Sequence, residues 1–449
     1  MNPLPVAFNG RNLTLIKLFV LVACVAWFAR RAYMGLPEGY EGAGDFYKIH
    51  SGVVAMSQGQ DPYATHERGY IYPPLFAAAL QPLAHMPVRT AQAWWALINF
   101  ALTACALALG FLAVSERLRI ERDRVTVLSV VLLAILLTFD QMRWEFEKGQ
   151  TDTLMLLAFA AGLYFLDRFP AAAGLALGFA ANIKFQTLIA LPYLVIRRRW
   201  SAAAWMALSC VVWAIVPALV CGWSRNLQFL GTAVNSVYTG LIGEKSGLHV
   251  HDIRWTSSIS LSSAAARQWS DDEPVALMAT IAMLAAGAFA AAWFIFRKQR
   301  VAMFSGRFEA ADRVFPGPAI VLLEWCGLIV ASLIFSPQSM VRHSFLLLLV
   351  HLAVAALLLL PREGVSRRPL LIGVLLLQVG TRFPPVDTMA HVRVFWTNIG
   401  GASWCMLAML FTLLWTGLGY AHAIAENRPL RAPVRGEEDV NNSQPVNAD

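Results

Sequence analysis

"QTDTLMLLAFAAGLYFLDRFPAAAGLALGFAANIKFQTLIALPYLVIRRRW", residues 150–200, is apolar almost throughout yet never apolar for long. An α-helix needs about 20 apolar residues to cross a hydrocarbon core about 30 Å thick. The runs at 151–166, 170–183 and 185–196 stop short, at Asp167-Arg168, Lys184 and Arg197. Segments of this kind predict tilted, broken or re-entrant helices, because backbone that leaves a helix at membrane depth must be buried in protein or line a cavity.

The same composition continues on both sides. The 449 residues are 57% hydrophobic and 14% charged, with a mean hydropathy of +0.55; a soluble domain carries about 25% charge. Further apolar runs at 13–34, 91–114, 125–141, 201–222, 275–296, 317–336, 344–360, 369–381 and 398–423 predict an all-α integral membrane protein with about twelve transmembrane helices. Residues 1–426 are read as one polytopic domain and 427–449, polar and rich in Pro and Asn, as a disordered cytoplasmic tail. Arginine clusters at 117–124, 197–199, 297–313 and 362–368 predict cytoplasmic termini, a pattern that Arg30 and Arg31 run against. Two long outer loops follow, 35–90 and 223–274, expected to carry short re-entrant or interfacial helices.

The formal charge of +8 sits in those short clusters, where it sets topology, so no nucleic-acid partner is expected. The six cysteines lie inside apolar runs without CxxC or Cys/His spacing. Nucleotide-driven chemistry finds no support in a P-loop, GxGxxG, nucleophile elbow or HExxH. His249-x-His251 lacks a clear third ligand, so no metal and no cofactor are expected.

Five stretches hold polar residues at the outer ends of the apolar runs. Asp45, in "GDFYKIH", reads either as the N-cap of a helix from about Phe46 to Gln58 or as a catalytic acid or base. Tyr63, Tyr70, Tyr72, Pro73 and Pro74 read as an interfacial anchor or as the lining of a groove for a lipid-borne substrate. Gln150 and Asp152 open a helix, where they cap it or help to build an anion site. Lys184 snorkels or holds a phosphate. Arg342 and His343 follow a Ser-Pro turn; a guanidinium fork there suits a phosphate and an imidazole suits an oxyanion.

Taken in order, "DFYKIHSGVVAMSQGQDPY" with "YPPLFAAALQPLAHMP", then "GQTDTLML", "AAAGLALGFAANIKFQTLIALPYLVIRRRW" and "SPQSMVRHSFLLL" resemble glycosyltransferase family 87, polyprenol-dependent membrane transferases. The resemblance covers about residues 45–350. It implies a GT-C fold, a polyprenyl-phosphate sugar donor, mannose transfer with inversion to a lipid or glycan acceptor, and an active site on the outer face of the cytoplasmic membrane among membrane lipids. It makes Asp45 the general base and places His343 near the reaction centre. Lys184 and Arg342 then serve as donor-phosphate cations, and Tyr63, Tyr72, Pro73, Pro74, Gln150 and Asp152 as the substrate groove. Asp152 stands where the family commonly has Asn, and Arg342-His343 where His-His is more frequent; both differences bear on the acceptor. The residues alone leave open a secondary transporter or flippase, which would carry inverted repeats and midplane charges, and an envelope assembly protein.

Overall fold

The structure is a computed structural model that describes residues 10–36, 45–65, 69–242, 252–270, 273–304, 316–383 and 389–427. His249, His251 and nearly all of the expected tail lie outside the described residues. The first half of the chain forms α1 (Gly10–Met34), α2 (Asp45–Ser57), α3 (Pro74–Ala79), α4 (Val88–Arg117), α5 (Arg124–Leu137), α6 (Phe139–Lys148), α7 (Asp152–Phe165), α8 (Pro170–Ala181), α9 (Ala190–Ile196) and α10 (Trp200–Ile215). The second half forms α11 (Ala218–Cys221), α12 (Trp223–Ile242), α13 (Leu261–Ala266), α14 (Pro274–Lys298), α15 (Gly317–Ile334), α16 (Leu347–Leu359), α17 (Arg368–Gly380), α18 (Ala390–Asn398) and α19 (Gly401–Ala425).

Among the described residues, seven helices are long and apolar enough to cross a membrane, or up to eight if the α5–α6 pair is one broken span. Four of the expected spans, at α7, α8, Phe185–Ile196 and α17, are shorter apolar helices, so length alone does not supply twelve crossings. The expected span at 125–141 ends early: α5 and α6 meet at a 71° bend. Thr138 sits at the break, its Oγ1 2.9 Å from Ala134 O and 2.7 Å from His351 Nδ1. The residues just past that expected span continue as helix α6, which runs to Lys148. The expected loop 223–274 opens with the 20-residue helix α12, which buries Asn226, Phe229, Ala233 and Ser236 and exposes Trp223, Leu227, Val234 and Tyr238. That two-faced pattern is the one an interfacial helix presents.

The shortness of α7 decides where polar residues fall. At about 1.5 Å per residue, its 14 residues rise about 21 Å, against about 45 Å for the 30 residues of α4. Arg117, at the carboxyl end of α4, donates to Leu163 O and Asp167 Oδ2, both at 2.8 Å, and so levels the two helices at that end. The amino end of α7 consequently stops part-way along α4, beside Asn99, whose Nδ2 donates to Gln150 O at 3.1 Å. Arg199 also pairs with Asp167, and Arg197 with Glu324 at 2.6 Å. At the opposite end, Arg31 pairs with Glu147, which accounts for one of the two arginines that broke the charge pattern.

Helix α8 fits against α10 through Gly174 and Gly178, four residues apart, where backbones approach closely. A Cβ at Gly178 would lie 2.5 Å from Met206 O and from Ser209 Cβ. Ser209 Oγ donates to Leu175 O at 2.9 Å and Asn182 Nδ2 to Cys210 O at 3.1 Å, closing the same interface. Gly178→Val is expected to destabilise the protein by about 1–3 kcal/mol, the usual cost of overpacking. The fall in thermal midpoint of the detergent-solubilised protein measures it.

Candidate functional site

The floor of the site is the turn from α6 into α7. Gly149 ends α6 with φ +63°, and Gln150 N donates back to Glu145 O at 3.1 Å, which closes the helix with a left-handed residue. Any side chain at Gly149 would also meet Phe46 Cβ, 2.8 Å from a built Cβ. Trp95 Nε1 donates to Gly149 O and Gln150 O at 3.1 and 3.2 Å, and Thr153 Oγ1 donates to Asn99 Oδ1 at 2.6 Å. Glu145 Oε1 accepts from Thr153 N at 3.1 Å, taking up one of the amides that a helix start leaves unpaired. "GQTD" is thus a turn pinned by α4, with Gln150 and Asp152 projecting from it.

Asp152 is fully buried and pairs with Lys184, which follows α8 in extended conformation and lies 6.0 Å from the Tyr72 ring. Asp45 is the first residue of α2, and its carboxylate faces side chains from three segments. Oδ1 is 3.0 Å from Lys48 Nζ; Oδ2 is 3.0 Å from Arg342 Nη2 and accepts from Gln150 Nε2. Burial alone would push Asp45 up, but the Arg342 and Lys48 charges outweigh it and hold the carboxyl below the ordinary aspartate value. Asp45 therefore stays ionised through the neutral range.

Arg342 and His343 occupy a 3-10 turn, Val341–Leu346, which α6 packs against. The loop before it is stitched to the segment 258–263, within the second of the two long expected loops. Ser262 Oγ donates to Phe335 O at 3.0 Å, Ser263 Oγ to Pro337 O at 2.8 Å, Ser339 N to Ser258 Oγ at 3.1 Å and Ile259 N to Ser339 O at 2.7 Å. His343 Nδ1 accepts from Met340 N at 3.3 Å, which leaves the ring proton on Nε2.

These groups surround a cavity of about 970 Å³. Of the site residues expected from sequence, Asp45, Tyr72, Pro73, Gln150, Lys184, Arg342 and His343 line it. Asp152 stands behind Lys184 rather than in the wall. Tyr63 and Pro74 are not in the wall either: Tyr63 is buried and donates to Tyr72 O at 2.8 Å, and Pro74 begins α3 in the packing beneath. Tyr70 donates to Pro73 O and accepts from Ala77 N, both at 2.8 Å, so this aromatic cluster shapes the loop from within. Burial pushes the Tyr63 and Tyr72 phenols up, which keeps them protonated. Sequence reasoning missed Lys48, although its place three residues after Asp45 puts both on one helical face. It also missed Trp255 and Gln338 in the wall, which nothing in their local pattern marks.

The model of glycosyltransferase family 87 matches residues 70–311, more than half of the chain, and the chain belongs to that family. No curated protein matches it. Gln150, Asp152 and Lys184 lie inside the matched stretch; Asp45, Lys48, Arg342 and His343 lie outside it and complete the same cavity wall or its support.

Lys184 is the ion-pair partner of a carboxylate with no exposure, and removing one member of a buried pair costs about 3–5 kcal/mol. Lys184→Met is expected to lose stability on that scale and Lys184→Met/Asp152→Asn to regain most of it. Thermal unfolding of the two variants in one detergent decides it.

Proposed function

We propose that this family 87 glycosyltransferase moves a sugar, mannose, from a polyprenyl-phosphate donor to a hydroxyl of a lipid or glycan acceptor, on the outer face of the cytoplasmic membrane and within a GT-C architecture. The observation that carries the reading is the make-up of one cavity wall. Lys48, Lys184 and Arg342 face it with Asp45 as the one lining carboxylate among the described residues, beside the apolar Ile183, Phe185, Ile189, Ala331 and Phe335. A cavity both cationic and apolar suits an anion carried on a hydrocarbon chain.

The chemistry follows from what the groups can hold. Asp45 accepts the proton of the acceptor hydroxyl as its oxygen bonds to the anomeric carbon. The bond from that carbon to the phosphate oxygen breaks, and its electron pair leaves with the polyprenyl phosphate. Arg342 and Lys184 stabilise the added negative charge, and the His343 Nε2 proton is a further donor. A single displacement with one carboxylate in the wall inverts the anomeric centre.

Asp45→Asn is expected to lower transfer about 10²–10⁴-fold, the range for removing a general base, while leaving donor binding in place. Transfer of radiolabelled mannose from polyprenyl-phosphate mannose to membrane lipid extract, by wild type and variant of equal folded fraction, is the measurement. Equal rates would remove Asp45 from the base role, and a wild type that releases no sugar from this donor would remove the donor.

A further inference from the structure

We propose that the ion pairs on Asp45 form a clamp operated by the donor: the donor phosphate draws Arg342 and Lys48 away from Asp45, so the base is released only in a site that already holds a donor. The inference rests on the donor class proposed above. It gives Lys48 a place in the reaction and makes binding ordered, donor before acceptor.

The resting carboxylate is nearly used up. An ionised carboxylate offers about four acceptor positions, and Lys48, Gln150 and Arg342 take three of those on Asp45. Two cations at 3.0 Å also oppose the arrival of a proton, which is the one thing a base must take. In this state Asp45 is well placed and poorly reactive.

The cations differ in how freely they can leave. Lys184 is bound to Asp152, which has no exposure and would be stranded by its departure. Arg342 and Lys48 keep side-chain exposures of 26% and 28%, and both line the cavity. The Arg342 Nε is buried with no hydrogen-bond partner among the described residues, so its contact with Asp45 runs through Nη2 and leaves donor capacity unused. A phosphate presents oxygens that a guanidinium fork grips with two parallel bonds, a stronger contact than the present one.

The other groups around Asp45 do not replace the clamp. Lys184 is held on Asp152 and makes no contact with Asp45 of its own, His343 is held as a neutral ring by Met340 N, Tyr72 is a buried phenol and Gln150 is uncharged. Once a phosphate engages Arg342 and Lys48, Asp45 keeps the Gln150 bond that orients it and regains ordinary basicity. Before that, neither water nor an acceptor finds a competent base.

The test is the pH dependence of carbodiimide coupling to Asp45, read by mass spectrometry on the full chain in detergent, with and without saturating farnesyl phosphate. Coupling draws on the protonated carboxyl, so its rate falls as pH rises through the Asp45 pKa. The free protein is expected to show a midpoint below the ordinary aspartate value of about 3.9, and farnesyl phosphate to raise it by about 1–3 pH units. Arg342→Gln is expected to start with a raised midpoint and to gain little from farnesyl phosphate. A full-sized gain in Arg342→Gln would mean plain repulsion by the ligand and overturn the handover, as would an unmoved midpoint in wild type that binds the probe. Failure of wild type to bind farnesyl phosphate in native mass spectrometry would overturn the donor class and the handover together. Lys48→Met, a change on the partly exposed side of α2, supplies the same comparison if Arg342→Gln does not fold.

Discussion

Asp152 has no contact with solvent and no place in a hydrocarbon-facing fold unless a cation reaches it, and Lys184 is the cation that does. Much of the site follows from that pairing. It joins the start of α7 to the end of α8, so the two short helices must lie antiparallel with their polar ends together. Gly174 and Gly178 then let α8 sit close on α10, and Trp95 and Asn99 hold the turn ahead of Asp152 against α4. A charge that water would otherwise solvate has been turned into the reference point for a cavity wall.

The bend between α5 and α6 is the second device. Had α5 run on straight, Glu145, Glu147 and Lys148 would have been carried outward along its axis. The 71° turn at Thr138 instead lays α6 against the 3-10 turn that bears Arg342 and His343. His351 secures the bend from the same span as that turn. Arg342, His343 and the GQTD turn are therefore fixed to each other through one helix break, and the serine bonds at 258–263 fix the loop that leads into Arg342 from the other side.

Asp45 shows how far local pattern goes. Its neighbours in the chain are aromatics, glycines and amides, and those terms left the choice between helix cap and reactive carboxylate open. The fold answers with Arg342, almost 300 residues away, and Gln150, 105 residues away, both on the same oxygen. Lys48 was legible through helical spacing, whereas Arg342 as a partner of Asp45 was not, because no periodicity links separate segments. Tyr63 carries the complementary lesson: an aromatic in a long loop between apolar runs looks interfacial, but its hydroxyl can be spent on the loop's own backbone, and here it is.

By itself the sequence determined the solvent in which the chain folds, the all-helical class and the places where helices must stop. Apolar length and charge spacing act locally, through the cost of putting backbone and ions into hydrocarbon. It also carried the polar stretches that the family pattern joins. Tertiary structure decided which runs are too short to cross, where α5 turns, and which cations meet which carboxylates. Those outcomes depend on contacts between distant segments, where a fully buried charge accepts whichever partner the packing of several helices brings within reach.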